Sequence, residues 1–341
     1  MKFSIITPVY NVKPYLAEML DSVRCQTHQD WEHIIINDGS TDGSAERLDQ
    51  YAAKDPRIKV IHQDNCGVGA ARNCGLRVAS GEWVVFLDAD DVLRDDFLQM
   101  AQSGFMAFRN ADIVKLVKCD FGEAKTLIWP DDYKDDYSIV DVRGALPASL
   151  IFAGIWECVV KRESLSGVEF SPYCIGEDRL FLSEVLAKAS YVAVIDHVSY
   201  GYRRRMGSAM NSAITRLKLE HRIGYSLAWI GVLACCGKRI PSSFFRLVVN
   251  DLTENFVFDI YIVSPDARSV LWDEWYRMLE VLCGYKQFFS AWSRFVIGVC
   301  VNMRFHWIAN VLCRFPRILK NSGINREVFM RRKRKAVVHR V

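Results

Sequence analysis

Four short apolar runs separated by three helical patterns fill the first ninety residues and narrow the choice of fold. Phe3–Thr7 is β-branched and apolar and reads as a strand ended by Pro8. Within Tyr15–His28, Leu16, Met19, Leu20 and Val23 fall on one helical face. His33–Asn37 carries Ile34, Ile35 and Ile36 without interruption, the signature of a parallel strand buried on both faces. Ser40-Thr41-Asp42-Gly43 offers helix-capping residues ahead of a helical pattern through Tyr51. Arg57–His62 reads as a third strand, Gly67–Ala79 as a helix and Trp83–Leu87 as a fourth strand. This alternation predicts an α/β domain with a mostly parallel sheet covered by helices. Such sheets bind ligands beyond the carboxyl ends of their strands.

Those ends are polar. They read Pro8-Val9-Tyr10-Asn11, Asn37-Asp38-Gly39-Ser40 and Asp88-Ala89-Asp90. Two carboxylates at i and i+2 just past a strand can present oxygens to a hard divalent cation, and they cannot both be buried cheaply without a counter-charge. Further along, Ile113–Cys119 and Val192–Ile195 read as strands, and Glu177–Ala189 as a helix with an acidic start. Trp156–Ser164 is expected to lead into a helix, and Asp131–Asp136 to form an acidic loop. From about residue 212 the pattern turns mainly helical. Two regions are therefore expected, 1–211 and 212–341.

Four motifs carry a resemblance. They are Thr7-Pro8-Val9-Tyr10-Asn11, Asn37-Asp38-Gly39-Ser40-Thr41-Asp42, Gly67-Val68-Gly69-Ala70-Ala71-Arg72-Asn73 and Phe86-Leu87-Asp88-Ala89-Asp90-Asp91. In order and spacing they resemble family 2 glycosyltransferases of the GT-A fold. The resemblance implies a donor site for a nucleotide-diphosphate sugar, a UDP-sugar in the first instance. Thr7, Pro8 and Tyr10 look like the loop that packs on the nucleobase. Asp38 looks like the carboxylate that accepts from the uracil imide, and Arg72 like a donor-pocket arginine near base or diphosphate. Asp88, Ala89 and Asp90 look like the D-x-D element. There Asp90 is the direct ligand of Mn²⁺ or Mg²⁺, and Asp88 faces ribose or a metal-bound water.

The resemblance returns at three later places. Gly176-Glu177-Asp178-Arg179 resembles the family's acidic pair before a helix. By that match Asp178 is the general base of an inverting displacement and Glu177 its support. Tyr200-Gly201-Tyr202-Arg203-Arg204-Arg205 with Ser208 resembles the segment after the last strand, which offers Arg203 and Arg205 to the diphosphate. Trp156 stands at an acceptor-side position. It is followed by Glu157-Cys158 where members often carry Asn-Lys, and a buried structural Trp accounts for it equally well.

Charge divides the chain. Residues 1–203 hold 21 Lys/Arg against 31 Asp/Glu, whereas 204–341 hold 23 against 9. The back region interleaves aromatics with arginine, as in Phe244-Phe245-Arg246, Trp292-Ser293-Arg294-Phe295, Arg304-Phe305-His306-Trp307 and Arg314-Phe315, and carries a basic run at Arg331–Lys335. That pattern suits contact with an anionic membrane surface, where a lipid-linked or lipopolysaccharide/capsule glycan acceptor would lie. The longest mostly apolar stretches are Ile223–Gly237 and Phe295–Cys313. The first is short of the roughly 20 apolar residues of a spanning helix, and Arg304 and His306 break the second. Met1-Lys2 runs directly into Phe3–Thr7 rather than into an apolar leader. The expectation is a cytoplasmic chain, peripheral at the inner face of the membrane. The eleven cysteines form no C-x-x-C and read as reduced thiols.

Other functions fit less well. Gly67-Val68-Gly69 lacks the third glycine of a dinucleotide fingerprint and follows the third strand, not the first. A sugar nucleotidyltransferase would carry a Gly-rich loop where Pro8-Val9-Tyr10 stands. Nucleic-acid binding would explain the basic tail but not the four strand-end motifs. The main alternative is a catalytically inactive GT-A-like glycan-binding or scaffold protein. The sequence gives no oligomeric state.

Overall fold

A computed structural model describes residues 1–122, 127–130, 136–205 and 216–236. The chain divides into two compact units: Met1–Ala213 with Gly224–Phe244, and Ile214–Ile223 with Phe245–Val341. The first holds a sheet of nine strands among the described residues. The strands are β1 (Phe3–Val9), β2 (Trp31–Asp38), β3 (Ile58–Gln63), β4 (Trp83–Phe86), β5 (Val92–Leu93), β6 (Ile113–Gly122), β7 (Tyr137–Asp141), β8 (Cys158–Lys161) and β9 (Tyr191–Arg204). The helices are α1 (Lys13–Arg24), α2 (Ser44–Ala52), α3 (Val68–Val78), α4 (Phe97–Ala107), α5 (Ala148–Ile151), α6 (Glu177–Lys188) and α7 (Arg216–Cys235).

The sheet order is β3-β2-β1-β4-β8-β6-β9-β5, with β7 paired to β9. The strands β3-β2-β1-β4 are mutually parallel, as the alternating pattern predicts. The isoleucines of β2 split between its two faces. Ile35 joins Leu16, Met19 and Leu20 of α1 in the main core, while Ile34 and Ile36 pack with Ala71 of α3. A strand covered on both sides has no room for polar alternation, which is why the run is unbroken. Gly75 lets α3 lie directly on β1: a Cβ there would meet Ile6 Cγ2 at 2.5 Å.

Three expectations need correction. β1 does not stop at Pro8 but continues to Val9, with Pro8 opposite Ile36. The pairing with β4 has already ended at Ile6↔Phe86, so on that side the missing proline N–H breaks no ladder bond. Trp156–Ser164 does not lead into a long helix. A short 3₁₀ turn at Ile155–Glu157 is followed by β8 and a second 3₁₀ turn at Arg162–Leu165. β8 lies antiparallel between β4 and β6, so the sheet is mixed. Finally, β9 runs well beyond Val192–Ile195. Its first half pairs with β7 and its second half with β5, and β6 lies along both.

These partners fix where β9 ends. Its last residues come to rest beside the turn after β4, because β5, the continuation of that turn, pairs with Tyr200 and Gly201. Cys25, Cys66, Cys74, Cys119, Cys158 and Cys235 are free thiols. Among the described residues no helix is long and apolar enough to cross a membrane. The Phe295–Cys313 stretch, the aromatic-arginine pairs, the Arg331–Lys335 run, Ser208 and most of the acidic 131–136 loop lie outside the described residues.

Candidate active site

The carboxyl ends of β1, β2 and β4 open side by side. β1 ends in the loop of Tyr10 and Asn11. Tyr10 is half exposed, at 52%, and Asn11 takes a left-handed conformation (φ 50°). Asn11 Oδ1 accepts the Thr41 N–H at 2.8 Å, and Ser40 Oγ accepts the Asn11 N–H at 3.1 Å, so the loops after β1 and β2 are tied together. Thr7 lies below this loop, fully buried in β1, with its hydroxyl 2.9 Å from His33 Nε2. It supports the loop from inside the sheet. Burial pushes the His33 imidazole down to about 3, against the pull of Asp55, so this pair stays neutral.

Asp38 closes β2. Its Oδ1 accepts from Gln63 Nε2 at 2.8 Å and from the Cys66 N–H at 2.9 Å, and its Oδ2 accepts from the Gly67 N–H at 2.9 Å. The carboxylate therefore shapes the loop that starts α3. A carboxylate has about four acceptor positions, so one remains for a ligand.

Arg72 projects from α3 and is almost fully buried, at 3% exposure. Its guanidinium donates to Asp88 Oδ1 at 2.8 Å and to Glu177 Oε1 at 2.9 Å. One planar fork thus joins the turn after β4 to the start of α6, with Arg72 and Glu177 105 residues apart in the chain. Glu177 and Asp178 occupy the first turn of α6, where the helix dipole favours negative charge. Gly176 enters that helix at φ 76°, and a Cβ there would lie 2.7 Å from the Tyr225 ring. Both the conformation and the close approach require glycine ahead of the acidic pair. Burial raises the Glu177 carboxyl, Arg72 lowers it and the Asp178 charge raises it again, leaving it pushed up to about 7. Burial opposes the Arg72 charge, yet Asp88, Glu177 and Asp178 hold its guanidinium protonated more firmly than usual. Asp178 itself is partly exposed.

The turn after β4 carries three carboxylates within four residues. Asp91 is buried, held by the Tyr200 hydroxyl at 2.6 Å and the Arg203 backbone N–H at 2.7 Å. Burial, then Asp88 and Asp90, push its carboxyl well up. Asp90 is raised too, by burial first and Asp88 second, although Arg205 opposes this. Ala89 between them is buried and fixes the turn.

The three arginines at the end of β9 separate clearly. Arg203 is buried. Its Nε donates to the Asp90 carbonyl at 2.7 Å, its second arm reaches Glu18 Oε2 at 2.5 Å, and its guanidinium lies 4.3 Å from the Phe121 ring centroid. It clamps the backbone of the turn rather than facing a ligand. Arg204 points outward to Asp120. Arg205 Nε donates to Asp90 Oδ2 at 2.5 Å, and its side chain is 20% exposed. Trp156 packs against the main core with its ring stacked on Tyr202, centroids 5.7 Å apart.

The structure therefore gathers Arg72, Asp88 and Glu177 into one cluster, beside Asp178, and Asp90, Arg203 and Arg205 into another. Tyr10 stands at the neighbouring loop and Pro8 near the end of β1, whereas Thr7 is buried and the partly buried Trp156 packs against the core. Sequence reasoning missed Glu18, Asp91 and Tyr200. Asp91 sat inside the motif as a third acid. Glu18 carried no signal, because its arginine comes from 185 residues away.

Among the described residues no group of three or more His, Cys, Asp or Glu side chains has the arrangement of a metal site. Asp88 and Asp90 nevertheless suit a hard cation in their chemistry. Both offer carboxylate oxygens, both are partly exposed, and the cluster carries more negative charge than its arginines neutralise. A cation held there would need further oxygens from a bound ligand.

Residues 4–139 match the family described as Glycosyl transferase family 2. A curated relative, the glycosyltransferase GlyA of Streptococcus pneumoniae, is 31% identical over 219 residues, which cover 61% of this chain and 31% of GlyA. The minor teichoic acid biosynthesis protein GgaB of Bacillus subtilis is 28% identical over 261 residues, 73% of this chain and 29% of GgaB. The chain thus spans about a third of the length of these two relatives. Among solved structures, Staphylococcus aureus TarS residues 1–349 in complex with UDP-GlcNAc matches with a TM-score of 0.67 and 21% identity, covering 82% of this chain and 81% of that one. Motifs, sheet order and these likenesses agree that residues 4–139 form a domain similar to glycosyl transferase family 2, on the GT-A fold shared with TarS.

Proposed function

We propose that this chain moves one sugar from a nucleotide-diphosphate donor, a UDP-sugar, to a hydroxyl of a lipid-linked or cell-surface glycan, with inversion at the anomeric carbon. The observation that carries the reading is the Arg72 bridge. A single buried guanidinium holds the donor-side carboxylate Asp88 and the acceptor-side residue Glu177 in fixed register. A site in which donor and acceptor must meet in line needs such a constraint.

In this reading the loops of Tyr10 and Asp38 take the nucleobase, and Asp88 and Asp90 face ribose and diphosphate. Asp178 accepts the proton of the acceptor hydroxyl as that oxygen attacks the anomeric carbon. The bond from that carbon to the diphosphate oxygen breaks on the opposite face, so one displacement inverts the centre. Glu177, tied to Arg72, keeps the start of α6 in place while Asp178 works. A divalent cation bound at Asp90 and Asp88, Mn²⁺ or Mg²⁺, would stabilise the charge that develops on the departing diphosphate. UDP as the nucleotide is supported by the fold shared with TarS, whose solved complex contains UDP-GlcNAc. A surface-polysaccharide acceptor is supported by the name of GgaB.

We place the catalytic part in residues 1–211, and propose that 212–341 meets an anionic membrane at the inner face of the cell. Removing residues 316–341 should weaken sedimentation with anionic liposomes; unchanged sedimentation would remove that tail from the attachment. The activity itself is tested by loading the protein with radiolabelled UDP-sugars and a lipid-extract acceptor. Sugar transfer with inversion, lost in Asp178→Asn while UDP still binds, is the expected result. Full transfer by Asp178→Asn would overturn the base assignment.

A further inference from the structure

Asn37 and Asp38 are the last two residues of β2 and lie on opposite faces of it. Asp38 shapes the start of α3. Asn37 shares its face with Ile35, is buried, and sits directly across from His62 of β3. Its amide has two partners. Asn37 Oδ1 accepts the Ser40 N–H at 3.2 Å, and Asn37 Nδ2 lies 3.0 Å from His62 Nδ1. The other nitrogen of the ring meets α2, with Nε2 3.0 Å from Asp49 Oδ1. Ser40 Oγ in turn accepts the Asn11 N–H. A chain of bonds therefore runs from the surface of α2, through β3 and β2, to the loop of Tyr10 and Asn11.

These partners dictate one protonation state of the ring. Only the amide oxygen can accept from Ser40, so Asn37 turns its NH2 toward His62. His62 Nδ1 is then an acceptor and carries no proton, while Nε2 holds the ring proton and donates it to the Asp49 carboxylate. A second proton, on Nδ1, would set donor against donor. Turning the amide over would only move that conflict to the Ser40 N–H. By packing and chain position the charged neighbours of the ring are Asp49, the exposed Glu46 a turn earlier on α2, and the exposed Asp64 just past β3. From β2 the ring meets the neutral Asn37, since Asp38 lies on the other face, and Lys59 at the far end of β3 is engaged by Glu32.

We propose that His62 is a positioning residue for the nucleobase end of the donor site. Its neutral ring, steadied by Asp49, holds the Asn37 amide, and that amide holds the turn at Ser40 to which the Tyr10–Asn11 loop is tied. The role rests on the donor-site reading above, in which the loops of Tyr10 and Asp38 take the base, and it does not require His62 to touch the nucleotide. The turn depends on such support. Gly39 stands in it at φ 75°, where a Cβ would lie 2.9 Å from the Asn65 backbone nitrogen, and Asn37 and Asp38 anchor it by their side chains on its two sides. A protonated ring breaks one bond of the chain, loosens the Ser40 turn and weakens nucleotide binding. The device is therefore set for neutral pH and fails toward acid.

The test is calorimetric titration of UDP, with Mn²⁺ present, into the full chain, His62→Asn and His62→Leu, at about pH 7.5 and about pH 5.5, a span over which imidazoles take up protons. Asn places an amide oxygen where Nδ1 stands and cannot take the second proton, whereas Leu offers no acceptor. Melting curves confirm that each variant folds at both pH values. At the higher pH His62→Asn should bind UDP as the parent does, and His62→Leu about tenfold more weakly, the worth of one net hydrogen bond. On moving to the lower pH the parent should lose about tenfold in affinity relative to His62→Asn. Protons taken up by nucleotide and cation sites are common to both proteins and cancel in that ratio. A His62 that merely packs against α2 would lower melting temperatures and leave the affinity profiles parallel. A ratio of parent to His62→Asn that does not change with pH, or a His62→Asn that recovers nothing lost in His62→Leu, would overturn the proposal and leave the donor site standing. UDP bound by none of the folded proteins would overturn the donor-site reading and the proposal with it.

Discussion

The parallel strands carry carboxylates at both ends, a single buried one at the amino end and a cluster at the carboxyl end, and the two are met in opposite ways. At the amino end, Glu32 accepts from Ser4 Oγ, the Ser80 N–H and hydroxyl, and Lys59 Nζ, each at 2.7 Å, and more weakly from the Gly81 N–H. Burial alone would raise its carboxyl, but the bonds from Lys59, Ser4 and Ser80 outweigh burial and hold it well below the ordinary carboxylate range. At the carboxyl end Asp90, Asp91 and Glu177 all shift the other way, because burial and mutual repulsion outweigh their partners. The single carboxylate is closed by its own donors and locks β1, β2 and β4 together at their starts. The other is left short of positive charge at the place where a parallel sheet opens to ligands. Unsatisfied charge, rather than the mere presence of acids, is what separates a binding end from a structural one.

The sharpest way to break this contrast is to remove the proposed base. Asp178→Asn should lower the transfer rate by about a thousandfold, the middle of the range for general-base catalysis, and leave UDP affinity unchanged in titration calorimetry. No comparable loss should follow any change at Glu32. Next comes Arg72→Gln, which leaves Glu177 buried without its counter-charge and Asp88 without its partner. It should cost about 3–5 kcal/mol in urea unfolding. Glu32→Gln should cost about 1–3 kcal/mol through donors left unmatched, with nucleotide binding intact.

The smallest effects are in pH, and their signs differ between the two ends. The Glu32 carboxyl lies below its unfolded value, so its stabilisation is present above the ordinary glutamate range and fades as pH falls through and below it. Glu177 lies above its unfolded value of 4.5, at about 7, so the folded chain binds the extra proton between them. Stability from this group therefore falls as pH rises across that window. Melting temperatures of Glu32→Gln should lose the acid-side slope, and those of Glu177→Gln should lose the slope between about pH 5 and 7, each by a few degrees at most. Parallel profiles for parent and both variants would contradict the division.

The first four strands were legible because strands buried on both faces leave unbroken apolar runs, and because each crevice-facing end carried an Asn, Asp or Pro. Asp38, Arg72, Asp88 and Asp90 could be read for the same reason: their motifs are local. β8 escaped notice because Cys158–Lys161 is only four residues long and follows a Trp-Glu pair that suggests a helix. β9 looked short because Asp196 and His197 interrupt its apolar pattern where Asp196 turns to solvent and His197 meets Asp96. The pairings that make the site a site, Arg72 with Glu177 and Arg203 with Glu18, join residues more than a hundred positions apart. Spacing along one chain carries no trace of them, since only the sheet order brings their elements together.

The central claim is that the carboxyl-end cluster binds a nucleotide diphosphate through a divalent cation. It is tested most directly by calorimetric titration of UDP, GDP, CDP and dTDP into the full chain with Mn²⁺, repeated with EDTA. The account predicts that UDP binds with Mn²⁺, that the other nucleotides bind more weakly, and that EDTA abolishes the signal. Folded protein that binds none of the four nucleotides, or binds UDP equally well with EDTA, would contradict it.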